Sequence, residues 1–574
     1  MVSGAVVAGA CLVVAPLDDV NQDTAKYEPD SSAGVGGTAG EGGSAGTGGS
    51  DDGSAAECAT NQDCLDKHPD EQFRCLQGHC VNLRTQECPV VLGRFDHPNA
   101  IFIGGFASFQ PLQIGDDNAS WNYELAINEL NAGQVGGLRG KDGLYPLALV
   151  LCDAGTQQAD PIKRRNGVFA ALEHLTDTVR VPAVIANVES GILLEAFDRF
   201  GAKKGVFFLT PGPATTAMLT VPSQELLWHM LGLPADLAPT YPALLAKVEE
   251  EVKPIFAVND LKVALVATEE PVEVELRNAV ANLLVFNGAG IADNRTRGLF
   301  TEVTLPRNPT AQQVASAALA VVAFRPNIVV SVAGTAFSMG RTAAFPQSGV
   351  LAQIEKGWGS VNNRPYYILA PFNLPTAISA IIPMITGLRS EWQEPDMHKR
   401  FVGIGVAGSE DGVLYNEYRD RLQRVDTRST PGYENYYDAV YFAAFAIQAA
   451  GPKAQGVFGT ELDNGIRHLI TGGPVFNVGP TDIQSVFDEL ERPEPNGRLR
   501  LFGTLGPPRF DARYGVRVDT GAVYCFEKKN TEELALQSQV GYFDRDAPTP
   551  RLQVSRLFVN KTLPCLQELN LPLP

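Results

Sequence analysis

The sequence predicts an α/β protein with two doubly wound parallel-sheet lobes joined by a hinge and preceded by a small cysteine-rich module. Short apolar runs without charges alternate with amphipathic stretches of helical length, and this alternation predicts the lobes. It occurs twice, first between residues 101 and 216 and again from residue 261. Four cysteines between residues 58 and 80 predict the module.

Residues 181–216 contain the clearest βαβ unit. The apolar runs at residues 182–186 and 206–209 are rich in Val, Ile and Phe, which is typical of strands covered on both faces. Between them, residues 190–200 place their apolar side chains on one face at helical spacing. Each strand runs into small polar residues, and in an open α/β sheet such turns line the crevice where ligands bind.

The second set of alternating elements begins at residue 261. Strand-like runs occupy residues 261–267, 300–305, 327–334, 366–372 and 401–408, and an amphipathic helix is predicted over residues 310–323. A further helix is predicted over residues 436–450. Two lobes joined by repeated chain crossings form a hinge, and a ligand that touches both lobes stabilises the closed form.

Composition excludes some classes of partner. The chain has 574 residues, 44% of them hydrophobic, which is long enough for two or three domains with their own cores. Its formal net charge of −19 disfavours nucleic acids and anionic membrane surfaces, because both require a positively charged face.

The N-terminal segment, residues 1–17, indicates export. Its apolar run at residues 5–16 is too short to span a bilayer, which takes about 20 residues, but it fits the apolar region of a secretory signal. Small residues before Cys11 resemble a bacterial lipobox, in which the cysteine carries a lipid. A lipoprotein and a protein with a plain cleaved signal are therefore both open, and contact with a membrane is expected only through such an anchor.

Residues 18–57 are predicted to form a flexible tether. From residue 31 the composition is Gly, Ser, Ala and acid, which cannot bury enough apolar surface to offset the entropy of ordering. A chain of this kind reaches about 30 Å, which would hold a folded domain away from a membrane surface.

The cysteine count is consistent with disulfide bonds in an oxidising compartment. If Cys11 is lipidated, eight cysteines remain, an even number suited to four disulfides. These candidates are Cys58, Cys64, Cys75, Cys80, Cys88, Cys152, Cys525 and Cys565. Residues 58–88 are interpreted as a disulfide-bonded module, and the alternative is a zinc site supported by His68 and His79.

Several segments resemble type I periplasmic binding proteins, the branched-chain amino acid binding family and its receptor relatives. IFIGGFASF at residues 101–109 resembles the first strand and cleft loop of that family, and TPGPATT at residues 210–216 resembles its turn after the fourth strand. NYELAINELNAGQVGG at residues 122–137 resembles the intervening helix, and GPPRFDARYGVRVDTGAVYCFE at residues 506–527 resembles the closing hairpin. The resemblance covers residues 99–526.

The resemblance implies where the two lobes begin and end. Residues 99–225 and 410–475 would form the first lobe, and residues 226–409 and 476–528 the second. Residues 529–574 would form a C-terminal tail without a counterpart in the family.

The resemblance also implies that turns at the strand ends clamp a small-molecule ligand. Helix N-capping is the alternative role for the hydroxyl groups of Ser190 and Thr215. Matched position by position, the expected ligand-binding residues of the first lobe are Phe106, Ala107, Ser108, Glu189, Ser190, Pro213, Ala214 and Thr215. Those of the second lobe are Thr268, Glu269, Thr335, Phe372 and Asn373.

Two departures from the family bear on the ligand. Phe372 and Asn373 occupy the turn where a second-lobe carboxylate usually holds the ammonium group of an amino acid, and Glu189 adds negative charge where a ligand carboxylate would lie. An uncharged or cationic ligand, or loss of the ligand, therefore fits better than a branched-chain amino acid.

The predicted function is that of a periplasmic or envelope solute-binding protein for ABC-type uptake or sensing, with a permease or sensor as its partner. The alternative is an envelope scaffold that uses the same fold to hold a protein partner. No metalloprotease, Walker or dinucleotide motif is present in the sequence, so we expect neither catalysis nor a cofactor or metal.

Overall fold

The computed structural model describes residues 56–69, 71–108, 118–133, 135–155, 158, 160–220, 225–306, 309–338, 349–359, 363–374, 397–406, 413–426, 432–453, 458–493, 497–528, 534–545 and 547–554. The predicted signal segment with Cys11, nearly all of the predicted tether, and Cys565 lie outside these residues. Within the described ranges, none of the helices combines the length and the apolar character needed to cross a membrane.

The cysteine-rich module consists of α1 (Asn61–Lys67), β1 (Phe73–Leu76) and β2 (His79–Asn82). Helix α1 begins with a capping box, in which Asp63 N donates to Thr60 Oγ1 and the Asp63 carboxylate accepts from Thr60 N. Disulfides join Cys58 to Cys75 and Cys64 to Cys80. Although the sulfurs of Cys58, Cys64 and Cys80 lie within 4.8 Å of one another, each is bonded to another sulfur and offers no thiolate to zinc.

The module is attached to the first lobe by several contacts. Arg74 Nη1 donates to the carbonyl of Val179 over 3.1 Å, and its guanidinium lies 4.3 Å from the centre of the Phe102 ring. A third disulfide, Cys88 to Cys152, ties the connecting segment to the lobe. Cys525 is also disulfide-bonded. The prediction of a disulfide-bonded module is confirmed.

Between the module and residue 231, the described residues form eight strands and three α-helices. In chain order the elements are β3 (Val90–Gly93), β4 (Ile101–Ala107), α2 (Asn118–Asn131), β5 (Leu138–Gly140), β6 (Gly143–Tyr145), β7 (Leu147–Asp153), α3 (Pro161–Glu173), β8 (Ala183–Ile185), α4 (Ser190–Ala196), β9 (Phe207–Pro213) and β10 (Leu227–Leu231). π-Helical turns at His174–Val179 and Phe197–Ala202 extend α3 and α4.

The middle part alternates strands and helices as the sequence predicts. Its elements are α5 (Thr240–Phe256), β11 (Val263–Thr268), α6 (Pro271–Leu283), β12 (Val285–Phe286), β13 (Ala289–Gly290), α7 (Ile291–Thr296), β14 (Phe300–Leu305), α8 (Ala311–Phe324), β15 (Ile328–Ser331), α9 (Thr335–Ser338), α10 (Val350–Gly357), β16 (Tyr366–Leu369) and β17 (Phe401–Val406). Helix α8 begins where expected because Thr310 and Gln313 form a capping box.

The last part returns to the first lobe and then re-enters the second. Its elements are α11 (Val413–Val425), α12 (Glu434–Ala450), α13 (Gly459–His468), β18 (Val475–Asn477), α14 (Ile483–Leu490), β19 (Arg500–Phe502), β20 (Phe510–Asp511), β21 (Val516–Arg517), β22 (Gly521–Lys528), β23 (Leu534–Asp544) and β24 (Arg551–Val554).

Two eight-stranded sheets organise these elements into two lobes. The first sheet has the order β3-β7-β4-β8-β9-β10-β21-β20, and the second has the order β14-β11-β15-β16-β17-β22-β23-β24. The strands from β7 to β21 run parallel, as do those from β14 to β17, and the remaining strands are antiparallel.

The second sheet is covered on both faces, as in a doubly wound fold. Successive residues of β11 belong to different cores: Val263 and Leu265 pack into one apolar cluster, whereas Ala264 and Val266 pack into another on the opposite face. In the first lobe α12 is buried almost throughout. The predicted fold class, two doubly wound lobes after a cysteine-rich module, is confirmed.

The lobe boundaries differ from the expected ones in two places. Strand β10 pairs in parallel with β9, so residues 226–231 lie in the first lobe rather than the second. Residues 476–517 were expected in the second lobe, but Phe487, Leu501 and Val516 pack into the first-lobe core. The chain therefore enters the second lobe for the last time only at residues 518–520.

The expected C-terminal tail also differs in part. Strand β23 pairs with β22 and β24 pairs with β23, so residues 534–554 extend the second sheet at its antiparallel edge. Val540 of β23 is buried in the second-lobe core and Leu552 of β24 packs against that core, which accounts for this extension.

A buried ionic cluster braces the end of the second lobe at the start of β16 and β17. The Glu355 side chain is fully buried and accepts hydrogen bonds from Arg364 Nη1 over 2.8 Å and Arg400 Nη2 over 2.8 Å. Tyr367 Oη donates to the other carboxylate oxygen over 2.5 Å. Two buried guanidinium groups thus pair with the same buried carboxylate.

We expect Glu355→Gln to lower the free energy of unfolding of the second lobe by about 3–5 kcal/mol, because it removes the charge of a fully buried carboxylate that pairs with two buried guanidinium groups. Equilibrium urea unfolding measures this loss. The control is Glu195→Gln, which removes a half-exposed pair with Arg165 and should cost about 1 kcal/mol or less. Equal effects of the two substitutions would contradict the account.

Candidate functional site

The two sheets present the carboxyl ends of their parallel strands to the same cleft. Thr216, in the turn after β9, donates its backbone N–H to Glu275 Oε1 on α6 over 3.0 Å. Helix α6 follows β11, so this hydrogen bond joins the strand-end turns of the first lobe to those of the second. Ligands bind at this edge of open parallel sheets.

At the end of β4, most of the expected site residues belong to the core. Phe106 and Ala107 are fully buried, and their carbonyls accept hydrogen bonds from Tyr123 Oη over 3.1 Å and Ala154 N over 2.8 Å. Ser108 is half-buried and is the part of this turn that retains exposed surface. The rest of the predicted cleft loop, from residue 109, lies outside the described residues.

The turn after β8 contains an ion pair that the sequence did not reveal. Arg164 Nη1 on α3 donates to Glu189 Oε2 over 2.7 Å, and the two side chains are only 10% and 4% exposed. The same guanidinium donates through Nε and Nη2 to the carbonyl of Gln158. The negative charge of Glu189 is therefore balanced inside the first lobe.

Ser190 is not the N-cap of α4. The N-cap position is Glu189, whose carbonyl accepts from Leu193 N over 2.7 Å, and Ser190 is the first helical residue. Its backbone thus lies at the start of a helix that points towards the cleft edge of the sheet.

The turn after β9 is largely built into the first lobe. Ala214 and Thr215 are buried, and the Thr215 carbonyl accepts from Met218 N over 2.9 Å. Asn435, at the start of α12, donates through Nδ2 to the carbonyl of Pro211. Pro213 is half-buried and lies next to these fixed groups.

In the second lobe, the turn after β11 combines a buried hydroxyl with an exposed carboxylate. Thr268 is buried, and its Oγ1 has no hydrogen-bond partner among the described residues. Glu269 is exposed. Glu270 follows as the N-cap residue of α6 and is buried.

Glu273 extends this acidic group into the lobe. Burial raises the pKa of its carboxyl well above the usual range, and the neighbouring Glu270 charge raises it further, while a hydrogen bond from the Gly334 backbone acts in the opposite direction. A Cβ at Gly334 would lie 2.1 Å from Glu273 Oε1, so only glycine allows this approach. Glu273 is thus favoured in its neutral form.

Asn373 has a structural role that the sequence did not predict. Its Oδ1 accepts from Ser331 Oγ over 2.8 Å, and its Nδ2 donates to the carbonyls of Ala333 and Gly334, each over 2.8 Å. These bonds fix the turn after β15. Thr335 opens α9 immediately after this turn, and Phe372 precedes Asn373 in a single 3₁₀ turn.

No family model and no curated protein matches the sequence. Among solved structures, the solute-binding protein of an ABC transporter from Rhodopseudomonas palustris BisB5, in complex with 3,4-dihydroxybenzoic acid, matches with a TM-score of 0.51 and 12% identity, over 78% of this chain and 98% of that chain. The chain has the type I periplasmic binding protein fold.

Two further solved structures are similar to this chain. A putative branched-chain amino acid ABC transporter protein from Silicibacter pomeroyi has a TM-score of 0.49 and 15% identity, over 81% of this chain and all of that chain (100%). An ABC transporter substrate-binding protein from Desulfitobacterium hafniense, in complex with Leu, has a TM-score of 0.46 and 16% identity, over 76% of this chain and 99% of that chain.

The hinge of this type I periplasmic binding protein fold is fixed by hydrogen bonds between two chain crossings. Gly232 N, where the chain leaves β10, donates to Asp519 Oδ2 over 2.7 Å, where the chain leaves β21. A Cβ at Gly232 would lie 2.5 Å from the Arg517 carbonyl, so the crossings approach this closely only with glycine. Asp236 accepts from Leu233 N over 3.2 Å and tightens the first crossing.

Charged side chains surround this contact. Arg517 Nε lies 3.3 Å from Asp519 Oδ1, and Arg545 Nη2 donates to the carbonyl of Asp236 over 2.7 Å. Burial raises the pKa of Asp519 to about 6, and the nearby Asp236 charge adds to this, against the opposing effects of Arg517, Gly232 N and Arg545. The hinge therefore contains a carboxyl group that titrates near neutral pH.

The sequence reasoning missed Arg164, Glu273, Glu275 and the Gly232–Asp519 contact. The acidic run at residues 269–275, directly after a predicted strand, was the available signal for the second-lobe carboxylates. No local pattern marks the partner of Glu189 or the hinge pair, because the residues involved are 25 and 287 positions apart.

We expect Asp519→Asn to gain stability relative to the unchanged protein as the pH rises from 4 to 6.5. In the folded protein the pKa of Asp519 lies above the ordinary value of 3.8. Its contribution to the free energy of unfolding is therefore fully present below about pH 4 and is lost as the pH rises through about 6. The shift corresponds to about 3 kcal/mol, which urea unfolding at a series of pH values measures.

The control is Asp198→Asn, which makes the same chemical change at an exposed position that is paired with Lys203 and should cost about 1 kcal/mol or less. A difference for Asp519→Asn that moves in the opposite direction would show that the Arg517 charge outweighs burial.

Proposed function

We propose that this chain is an exported solute-binding protein that holds a small polar molecule between its lobes and delivers it to an ABC-type permease or a sensor. The observation that carries the proposal is the Thr216–Glu275 contact, because it brings the strand-end turns of both lobes to one cleft. A relative of the same fold from Rhodopseudomonas palustris BisB5 is a solute-binding protein with a bound small molecule, which supports this proposal.

The charge of the cleft favours an uncharged or cationic ligand, such as an amide, a sugar or an amine. On the first-lobe side Glu189 is balanced by Arg164. On the second-lobe side Glu269 is exposed and forms no ion pair with the other described residues, and Glu275 points an oxygen at the first lobe. A ligand carboxylate would meet repulsion here, whereas an ammonium or amide N–H would be attracted.

We propose binding without chemical conversion. Glu273 is a carboxyl group at this edge, and burial raises its pKa well above the usual range. It lies against Gly334 and next to Glu270, and it is not paired with a nucleophile. Acyl-transfer and hydrolytic sites require an aligned base, nucleophile and orienting group. The described cleft residues do not form such an arrangement.

The location we propose is the periplasm or cell envelope, with a lipid anchor at Cys11. Disulfides such as Cys88–Cys152 persist in oxidising compartments, which supports export. The lipobox-like sequence before Cys11 supports the anchor.

A second candidate function is that of an envelope scaffold that holds a protein partner. The observation in its favour is that Asn373 and Glu189, both expected to contact a ligand, have their side chains engaged in bonds within their own lobes. The attached cysteine-rich module also favours this function, because a protein that only carries a solute does not need such a module.

A thermal-shift screen of the full chain against amino acids, amides, sugars and polyamines separates these functions. A cleft ligand at 100 times its Kd should stabilise the protein by about 2.7 kcal/mol and raise its Tm. Glu269→Lys should weaken a cationic hit at least tenfold, whereas Glu250→Lys, at an exposed position on α5, should leave it unchanged. A panel without hits would favour the scaffold.

We expect Cys11→Ser to move the protein from the membrane fraction to the soluble fraction of the producing cells, because the acyl chains would be lost. Cell fractionation followed by immunoblotting measures this. Cys58→Ser tests whether the loss of any cysteine has the same effect, and it should leave the protein in the membrane fraction. Retention of the Cys11→Ser protein in membranes would refute the anchor.

A further inference from the structure

A second cavity, here called the rear cavity, lies on the other side of the hinge from the cleft. Its volume is about 900 Å³. Residues of both lobes line it, among them Phe502 and Leu505 of the first lobe and Phe543 of the second, and the crossing contributes Val518 and Thr520. None of the expected cleft residues lines it.

The order of strands explains this position. The chain passes from the first sheet to the other lobe after β10 and after β21. Strands β4, β8 and β9 lie on the cleft side of these two strands, and β20 lies on the far side. The chain leaves the second sheet for the first lobe after β17 and returns to it at β22. Strands β11, β15 and β16 lie on the cleft side of these two strands, and β23 and β24 lie on the far side. The rear cavity therefore lies between the far-side ends of the two sheets.

Arginines outnumber acids in the lining of the rear cavity, whereas the whole chain has a net charge of −19. The lining contains four arginines, Arg500, Arg509, Arg517 and Arg545, and two acids, Glu417 and Asp544. Arg517 and Arg545 are paired with Asp519 and Asp236 behind the wall. The two oxygens of Asp544 accept from Ala547 N over 3.0 Å and Gln553 Nε2 over 2.8 Å. One of the two acids is thus already engaged.

The arginines differ in how they are held. Arg517 is only 5% exposed, and its Nη2 donates to the carbonyl of Leu505. Arg500 is exposed and forms no ion pair within the described part of the chain. A fixed guanidinium beside more accessible ones can bind the oxygens of a carboxylate or phosphate.

Apolar side chains form the rest of the wall. Leu505, Pro508 and Phe543 are buried at the cavity, and Phe502 is half-buried. An apolar wall with a few polar groups in fixed positions is typical of a small-molecule pocket. The rear cavity can therefore accommodate an apolar body with an anionic end.

We propose that the rear cavity binds a small amphipathic organic anion, with its carboxylate or phosphate on the arginines and its apolar body against the phenylalanines. Because both lobes and the crossing contribute to the lining, the bound anion would favour one angle between the lobes. Insofar as the cleft binds a solute as proposed above, the two sites are then coupled, each changing the affinity of the other by the same factor.

Calorimetry with the full chain tests binding, using 4-phenylbutyrate and phenyl phosphate as probes. The uncharged 4-phenylbutyramide and inorganic phosphate are the matched compounds, because one lacks the charge and the other the apolar body. We expect one or both organic anions to bind at least tenfold more tightly than either matched compound. The stronger of the two then identifies carboxylate or phosphate as the preferred group.

Hydrogen exchange locates the site. The bound probe should protect backbone amides at residues 500–509 and 542–545 more strongly than those at residues 187–190 and 268–270. The double variant Arg500→Glu and Arg509→Glu, both at exposed positions, should lower the affinity at least tenfold. The control Arg84→Glu with Arg424→Glu makes the same charge change at exposed positions away from the cavity and should have no effect.

Three results would overturn this proposal: no binding of either organic anion, equal binding of the uncharged amide, or protection confined to the cleft segments. The first two results leave the cleft function untouched, because the cleft is proposed to bind an uncharged or cationic ligand. The third would instead show a small molecule bound in the cleft and would contradict only the charge preference proposed for it.

Discussion

The hydrogen bond from Gly232 N to Asp519 Oδ2 is the constraint on which the arrangement of the two lobes depends. It joins the first and last described crossings of the chain at the carboxyl end of the first sheet, where β10 and β21 lie side by side. Since the crossings leave each sheet between its central and edge strands, they divide the space between the lobes. The cleft lies on one side of them and the rear cavity on the other.

The charges on the two sides of the hinge differ in sign for structural reasons. On the cleft side the start of α6 contributes Glu269, Glu270, Glu273 and Glu275, while the first-lobe carboxylate Glu189 is balanced by Arg164. On the far side the arginines of the cavity wall outnumber the acids. A single hinge thus separates the acidic start of α6 from a cavity wall that contains four arginines.

The sequence predicted the sheet-forming elements well and the side-chain partners poorly. The run at residues 401–408 became β17 because buried parallel strands require unbroken apolar residues, a signal that is local. Residues 476–517 were placed in the wrong lobe, since their strands have only two or three residues and their positions depend on contacts with α12 and β10. The bonds of Asn373 to Ser331, Ala333 and Gly334 were not predicted, because nothing in the local sequence indicates them.

The central claim, that the strand-end turns of the two lobes face each other across one cleft, is tested most directly by cross-linking. Cysteines introduced by Thr216→Cys and Glu275→Cys should be joined by a short bifunctional maleimide, because the native groups at these positions are hydrogen-bonded over 3.0 Å. Thr216→Cys with Arg295→Cys, on α7 of the second lobe, is the control pair and should not be joined. Equal cross-linking of both pairs, or none of the first, would contradict the arrangement described here.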